Sequence, residues 1–315
     1  QSGVNIHCNV RIGEAVSFEE LKNQSDAVYV AIGTQQSRTL GIPGEDLPGV
    51  ENGLIFLKRI GLKQSLSVPE RLVAINYLQN PDVYHLGNRV IIIGAGNAAM
   101  DVARTAVRLG SKEVTVVYRR TEREMPAGAE EVKEAREEGI RIITLASPVR
   151  ITEKDGAVCG IELVKRQLTD YGPDGRRRSA HIEGSEFLLE CDGIITAINQ
   201  DVDHKFHQTT QLDFDRKGRI DVHQFTSRTS EEGVFAGGDT SPWGANVAVN
   251  AIADGKKAAV NIDKYLGGSG ELNMGEWLEI PVIPDMEVTE PHMRFPVRTL
   301  PVDERIDNFK EVACG

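Results

Sequence analysis

The sequence predicts an α/β fold with parallel strands, and three observations predict it. One is the apolar run Val90-Ile-Ile-Ile93, which leads through the glycine turn Gly94-Ala-Gly96 into a helix pattern. Another is that strand signals alternate with helix signals, as βαβ connections require. The third is that strand patterns end in small residues where the chain must turn sharply: Gly33-Thr34, Gly94 and Gly237-Gly238.

Taken in order, the opening Val4–Ile12 reads as a strand. Ser17-Phe-Glu-Glu20 is a capping box, Ser at the cap and Glu three residues on, opening a short helix. Asp26–Thr34 is a buried strand with a small-residue end. Arg89–Ile93 suits a strand buried on both faces of a parallel sheet. Gly94 permits the turn after it. Gly96 removes the side chain that would keep a pyrophosphate from the first free amides of the helix, and Ala99 lets that helix close on the strand. The helix Ala98–Leu109 and the strand Glu113–Tyr118 complete the βαβ setting that makes a G-x-G-x-x-A string a nucleotide signal.

The end of the second strand bears on which nucleotide. An NAD site usually places Asp or Glu there, to accept from the ribose 2′-hydroxyl. Here the strand ends Tyr118-Arg119-Arg120. A carboxylate would repel a 2′-phosphate, whereas guanidiniums bind it with paired, charge-assisted hydrogen bonds. NADP(H) is favoured over NAD(H), against the plainer reading of two solvated arginines.

Further along, Tyr171-Gly-Pro-Asp-Gly175 is a turn signature, so Arg176–Arg178 read as the solvated shoulder of a hairpin. Glu190–Gln200 nearly repeats the strand at Asp26–Thr34. Gly233–Asp239 is a strand leading into a glycine turn and an acid, and an amphipathic helix, Val247–Leu266, follows. An Asp at such a strand end accepts from a sugar hydroxyl, while the helix start offers amides to an electron-rich group. Taken alone, Gly-Gly-Asp is an ordinary turn.

Composition sets bounds. At 315 residues one large or two ordinary domains are expected. A net charge of −11 argues against non-specific binding to nucleic acid or anionic membranes. No apolar run reaches membrane-spanning length. Cys8, Cys159, Cys191 and Cys314 are scattered, offering neither a disulfide framework nor a C-x-x-C pair, which fits a reducing cytoplasm. His204 and His207 have metal-compatible spacing but lie in a polar stretch that reads as a solvated loop. The chain opens on Gln1 and closes without a natural stop, so it is expected to be a piece of something larger.

Six motifs carry a resemblance: Leu40-Gly-Ile-Pro-Gly-Glu-Asp46, Gly94–Thr105, Tyr118–Pro126, Ile182–Phe187, Phe235–Asp239 and Ala251–Ala259. In this order they resemble the flavoproteins with two dinucleotide-binding domains, in particular the family of the small (beta) subunit of NADPH-dependent glutamate synthase. The resemblance covers the chain to Gly268. It implies an α/β protein of two Rossmann-like domains, the NAD(P) domain inserted in an FAD domain that lacks its N-terminal part here. Residues 1–48 and 205–268 would be the partial FAD domain, 49–204 the NAD(P)H domain, and 269–315 an extended C-terminal tail.

What the resemblance implies for the site is specific. Gly94, Gly96, Asn97 and Ala98 would surround the NADPH pyrophosphate, with Arg119 and Arg120 at the 2′-phosphate. Gly33 and Thr34 would lie beside FAD, Gly238 and Asp239 near its ribityl chain and pyrophosphate, and Asn246 and Val247 would place amides near the flavin pyrimidine. Hydride would pass between nicotinamide and FAD with no side-chain nucleophile. Electrons would continue to iron–sulfur centres, expected outside this chain, or to a partner subunit; homo-oligomerisation stays open. Asp101 is read as a structural hydrogen-bonding group. Arg104 is either a solvated helix residue or a contact behind the site. Asn199 stands where the family usually has Gly, and is expected to tolerate a left-handed turn. The competing reading is an NADP(H)-binding module without its own FAD or turnover.

Overall fold

In the computed structural model of the chain, Ser17 starts the first helix, α1 (Phe18–Asn23), by accepting the Glu20 amide at 3.1 Å. The reciprocal half of the expected box does not form, because Glu20 instead accepts from Gln24 at 3.2 Å. The structure describes residues 3–65, 86–172, 175, 177–243, 247–271, 298–306, 308–309 and 312–314. Residues 1–36 and 200–292 make one unit, and 37–199 with 293–315 the other.

The expected opening strand is absent. Between residues 4 and 12 only Ile12 makes a β-bridge, to Val16, and Val4 and Ile6 are exposed. After α1 comes β1 (Val28–Val30), shorter than the pattern at Asp26–Thr34.

The second unit begins at residue 37 rather than 49, because Leu40, Ile42 and Leu47 pack on its core. The Pro43 carbonyl also accepts the Ile151 amide at 2.9 Å. Its elements in order are β2 (Val50–Asn52), α2 (Gly53–Ser65), β3 (Arg89–Ile93), α3 (Asn97–Arg108), β4 (Glu113–Val117), α4 (Ala129–Glu137) and β5 (Arg141–Ile143). Then come β6 (Ala146–Lys154), β7 (Ala157–Tyr171), β8 (Arg177–Glu190) and β9 (Gly193–Thr196).

Strands β2, β9, β3, β4 and β5 form one parallel sheet in that spatial order. Alternation sorts its residues between two cores. Val90 and Ile92 face α2, α3 and α4 with Phe56, Met100 and Val132, while Ile91 and Ile93 face Ile151, Ile161 and Leu163 of the antiparallel sheet β6–β7–β8. Both faces are covered, which is why four apolar residues stand in a row. Arg177 lies in β8, its Nε donating to the Thr169 carbonyl at 3.1 Å, so the hairpin shoulder is a strand end.

Residues 272–297 of the predicted tail lie outside the described residues; its described part from residue 298 is not simply extended. Arg298–Thr299 pairs antiparallel with Ala313–Cys314, and Val302–Ile306 is a short helix whose Arg305 donates to Glu137 at 3.1 Å. These residues stay with the second unit.

The first unit resumes at residue 200 rather than 205; Asp203 pairs with Arg11 at 2.6 Å and caps α5 (His204–Thr209). β10 (Val234–Ala236) runs parallel to β1, with Tyr29 opposite Phe235. α6 (Ala248–Tyr265) follows. Phe18, Phe206, Leu212, Ile220 and Val234 form this core.

Candidate functional site

In the second unit, β3 delivers the chain to a turn that two different constraints shape. Gly94 has φ +134°, and a Cβ there would stand 2.1 Å from the Ala197 carbonyl oxygen at the end of β9. Only glycine fits. Gly96 caps α3 with φ −87°, and a Cβ on it would meet nothing within 4 Å. The fold does not need glycine there; a ligand lying on the helix start would.

The amides of Ala99 and Met100 both reach the Gly96 carbonyl, at 2.9 and 3.2 Å. Those of Asn97 and Ala98 find no partner among the described residues, so the positive end of α3 presents free donors. The loop after β4 folds back over this turn. Ala127 donates to the Ala95 carbonyl at 3.1 Å, and Gly128 to Asn97 Oδ1 at 3.2 Å. Asn97 therefore keeps its NH₂ for a ligand. Thr121 and Glu124 form the reciprocal capping box that this loop turns on, and the Tyr118 hydroxyl donates to the Glu124 carbonyl at 2.7 Å. The sequence carries that signal as Thr121-Glu-Arg-Glu124.

Arg119 is exposed and Arg120 is buried to 9 % exposure. Arg120 Nε is buried with no hydrogen-bond partner among the described residues. An unsatisfied buried donor costs about 1–3 kcal/mol. An anion would remove that cost, and two guanidiniums beside a helix start suit one. Arg166 on β7 lies far along the chain, and no local sequence pattern ties it to this pair. Burial, and then the charges of Arg119 and Arg120, hold Arg166 below the ordinary arginine value.

In the first unit, Gly33 has φ +65° with nothing within 4 Å of a Cβ, and Thr34 beside it is half-buried. Gly238, with φ +70°, opens a short turn, its amide donating to the buried Asp254 carboxylate at 3.0 Å. Lys257 pairs with the other Asp254 oxygen at 2.9 Å. Asp239 is half-buried, and its carboxylate has no partner among the described residues. Val247 caps α6, and its carbonyl accepts the amides of Asn250 and Ala251 at 3.1 and 3.2 Å, while those of Ala248 and Val249 have no partner among the described residues. Asn246 lies outside the described residues.

Other expectations resolve differently. Asp101 makes no hydrogen bond among the described residues; burial raises its carboxyl and the Arg104 charge lowers it less. Arg104 is neither solvated nor directed at the turn: with Arg108 it binds Glu138, whose side chain is fully buried, at 2.7 and 2.9 Å. Asn199 is not left-handed, so its tolerance of that conformation is irrelevant; its carbonyl accepts the Arg38 amide at 3.1 Å. His204 and His207 lie on α5, not in a loop. His207 stacks on Phe214 with ring centres 4.0 Å apart. Among the described residues no cluster of His, Cys, Asp or Glu could hold a metal, and no helix is long and apolar enough to cross a membrane. Cys191 is buried, which pushes its thiol up to about 12, Asp192 adding to the shift.

Comparison with known proteins gives a consistent pattern. The family model for pyridine nucleotide-disulphide oxidoreductases matches residues 3–255. The chain is 35% identical to the NADP(+)-dependent formate dehydrogenase subunit beta of Moorella thermoacetica, over 99% of this chain and 43% of that protein. It is 35% identical to the glutamate synthase [NADPH] small chain of Escherichia coli K12, over 84% and 55% respectively. The chain thus spans about half the length of the curated relatives it matches. Among solved structures, Mycobacterium tuberculosis FprA in complex with NADPH is similar in fold, with a TM-score of 0.64 and 22% identity over 82% of this chain and 68% of that one.

Proposed function

Because this chain belongs to the pyridine nucleotide-disulphide oxidoreductase family, we propose that it forms the NADPH-binding part and a portion of the FAD-binding part of an electron-transfer flavoprotein. Its reaction is hydride transfer between NADPH and FAD, with electrons relayed to iron–sulfur centres or a partner subunit. The relatives named NADP(+)-dependent formate dehydrogenase subunit beta and glutamate synthase [NADPH] small chain support both the nucleotide and the partner. The scattered cysteines support a cytoplasmic setting.

One observation carries the nucleotide assignment. Open space over Gly96, the free amides of Asn97 and Ala98, and the buried unpartnered Nε of Arg120 all lie on the βαβ unit β3–α3–β4. In this reading Gly94 and Gly96 clear the approach, the helix start and the Asn97 NH₂ hold the pyrophosphate, and Arg119 and Arg120 hold the 2′-phosphate. When bound, the nicotinamide supplies the hydride that the flavin accepts. For FAD, the open backbone at Gly33, the turn at Gly238, the unpartnered Asp239 and the free amides after Val247 fit a sugar, a pyrophosphate and an electron-rich ring. Thr34 and Asn246 join them by the resemblance.

A second reading, an NADP(H)-binding module without its own FAD or turnover, has an observation of its own. Among the described residues the first unit's parallel sheet is the two-stranded β1–β10, too small to be stable alone. Calorimetric titration of the chain with NADPH and NADH, together with its flavin absorbance, decides. NADPH at least about tenfold tighter than NADH supports the nucleotide assignment, and equal affinities or no heat overturn it. A yellow protein supports the flavoprotein reading, and a colourless one that binds NADPH selects the module.

A further inference from the structure

We propose that Arg166 is a third cation of the 2′-phosphate site, held in place for that role by Ser147 and Ser179. The inference rests on the NADPH assignment above and adds a residue to it.

The backbone brings Arg166 to the arginine pair. Leu145, in the turn between β5 and β6, takes the left-handed conformation at φ +53°. Its amide donates to the Arg120 carbonyl at 3.1 Å, and its carbonyl accepts the Arg166 amide at 2.8 Å. One residue, through its own N–H and C=O, thus bridges a residue just past β4 to one on β7.

The Arg166 guanidinium is then fixed entirely by neutral groups. Nε donates to Ser179 Oγ at 2.9 Å and Nη1 to Ser147 Oγ at 3.0 Å, while Nη2 donates to the Ser179 carbonyl. None of Arg119, Arg120 and Arg166 pairs with a carboxylate among the described residues. Arg89, Arg104, Arg108, Arg150 and Arg219 all do. Arg123, Arg141 and Arg178 likewise lack a carboxylate partner among the described residues, so what distinguishes Arg166 is its ligation by two serines.

Like charges repel, and after burial the charges of Arg119 and Arg120 help hold Arg166 below its ordinary value. Serine ligation leaves the charge of Arg166 intact while holding its plane. A 2′-phosphate, with roughly two negative charges and three acceptor oxygens, neutralises the group in a way a 2′-hydroxyl cannot. The buried Nε of Arg120, one bridging residue away along the backbone, still lacks an acceptor among the described residues.

The test is calorimetric titration of NADPH and NADH into the whole chain and its variants. Arg166→Gln is expected to weaken NADPH by about tenfold or more while leaving NADH within about twofold, and Arg166→Lys, which keeps charge but loses the fork, is expected to fall between. Arg120→Gln is the internal standard. If it collapses the NADPH preference while Arg166→Gln leaves the preference intact, Arg166 is only a strut between strands and the proposal fails. If neither variant moves the preference, the 2′-phosphate assignment itself fails, and this inference with it. Should Arg166→Gln not fold, Ser179→Ala is read in its place. A fall in the NADPH:NADH affinity ratio supports the proposal; an unchanged ratio in both Ser179→Ala and Arg166→Lys overturns it.

Discussion

Gly94 lies under the Ala197 carbonyl, so closely that a Cβ on residue 94 would stand 2.1 Å from that oxygen. The contact explains why the glycine turn at the tip of β3 depends on a strand about a hundred residues later, since parallel neighbours are brought together only by crossover connections. Gly96, two residues on, has open space instead. Gly94→Ala should prevent proper folding, while Gly96→Ala should cost no more than about 1 kcal/mol in thermal unfolding, a helix-cap effect. NADPH binding should nevertheless be lost in Gly96→Ala. Unfolding curves together with calorimetry check the pair, and retained NADPH affinity in Gly96→Ala would show that the space is not the ligand's.

Arg120→Met replaces a buried guanidinium with an apolar chain of similar length. Because Arg120 Nε has no acceptor, the nucleotide-free protein should lose little and could gain up to about 1–3 kcal/mol in denaturant unfolding. The same variant should bind NADPH no better than NADH. A large loss of stability would indicate that Arg120 supports the fold.

Glu138→Gln removes the buried carboxylate between Arg104 and Arg108 and should destabilise the second unit by about 3 kcal/mol. Burial alone would push the Glu138 carboxyl up, but hydrogen bonds and charge from the two arginines more than offset it and hold it below the usual range. A lowered folded-state value means this stability is full above the unfolded carboxyl value, about 4.3, and lost as pH falls through the folded one. Unfolding curves of the two proteins should therefore converge in acid. Curves that stay apart by the same amount at low pH would contradict the assignment.

Asp254→Ala should loosen the turn at Gly238, whose amide loses its carboxylate acceptor, and cost the first unit about 1.5–3 kcal/mol. It should also be felt at Tyr29, whose phenol is raised first by burial and then by the Asp254 charge. Ultraviolet titration is expected to show that phenol ionising at lower pH in the variant. No change would mean burial alone sets its value.

Much of the second unit was legible in the residues. The run Val90–Ile93, the glycine turn and Ala99, which is fully buried in α3, announce a βαβ unit because a doubly covered strand and a closely packed helix leave that composition behind. Phosphate chemistry pointed to Arg119 and Arg120 for the same local reason. The first unit was less legible. Val4–Ile12 has strand composition, yet apart from the bridge between Ile12 and Val16 it finds no ladder partner among the described residues. His204 and His207 looked like loop residues because a six-residue helix with one buried Phe leaves almost no periodic signal.

By itself, then, the sequence determined the α/β class, the glycine turn of β3 and the paired cations after β4, all of which depend on neighbours a few residues apart. Tertiary structure alone decided that Ala197 makes Gly94 obligatory, that Arg120 is buried without an acceptor among the described residues, that Arg104 turns to Glu138, and that Leu145 links the backbones of Arg120 and Arg166. Those outcomes depend on which distant strands become neighbours, and sheet order is set by the packing of whole layers rather than by any local run of residues.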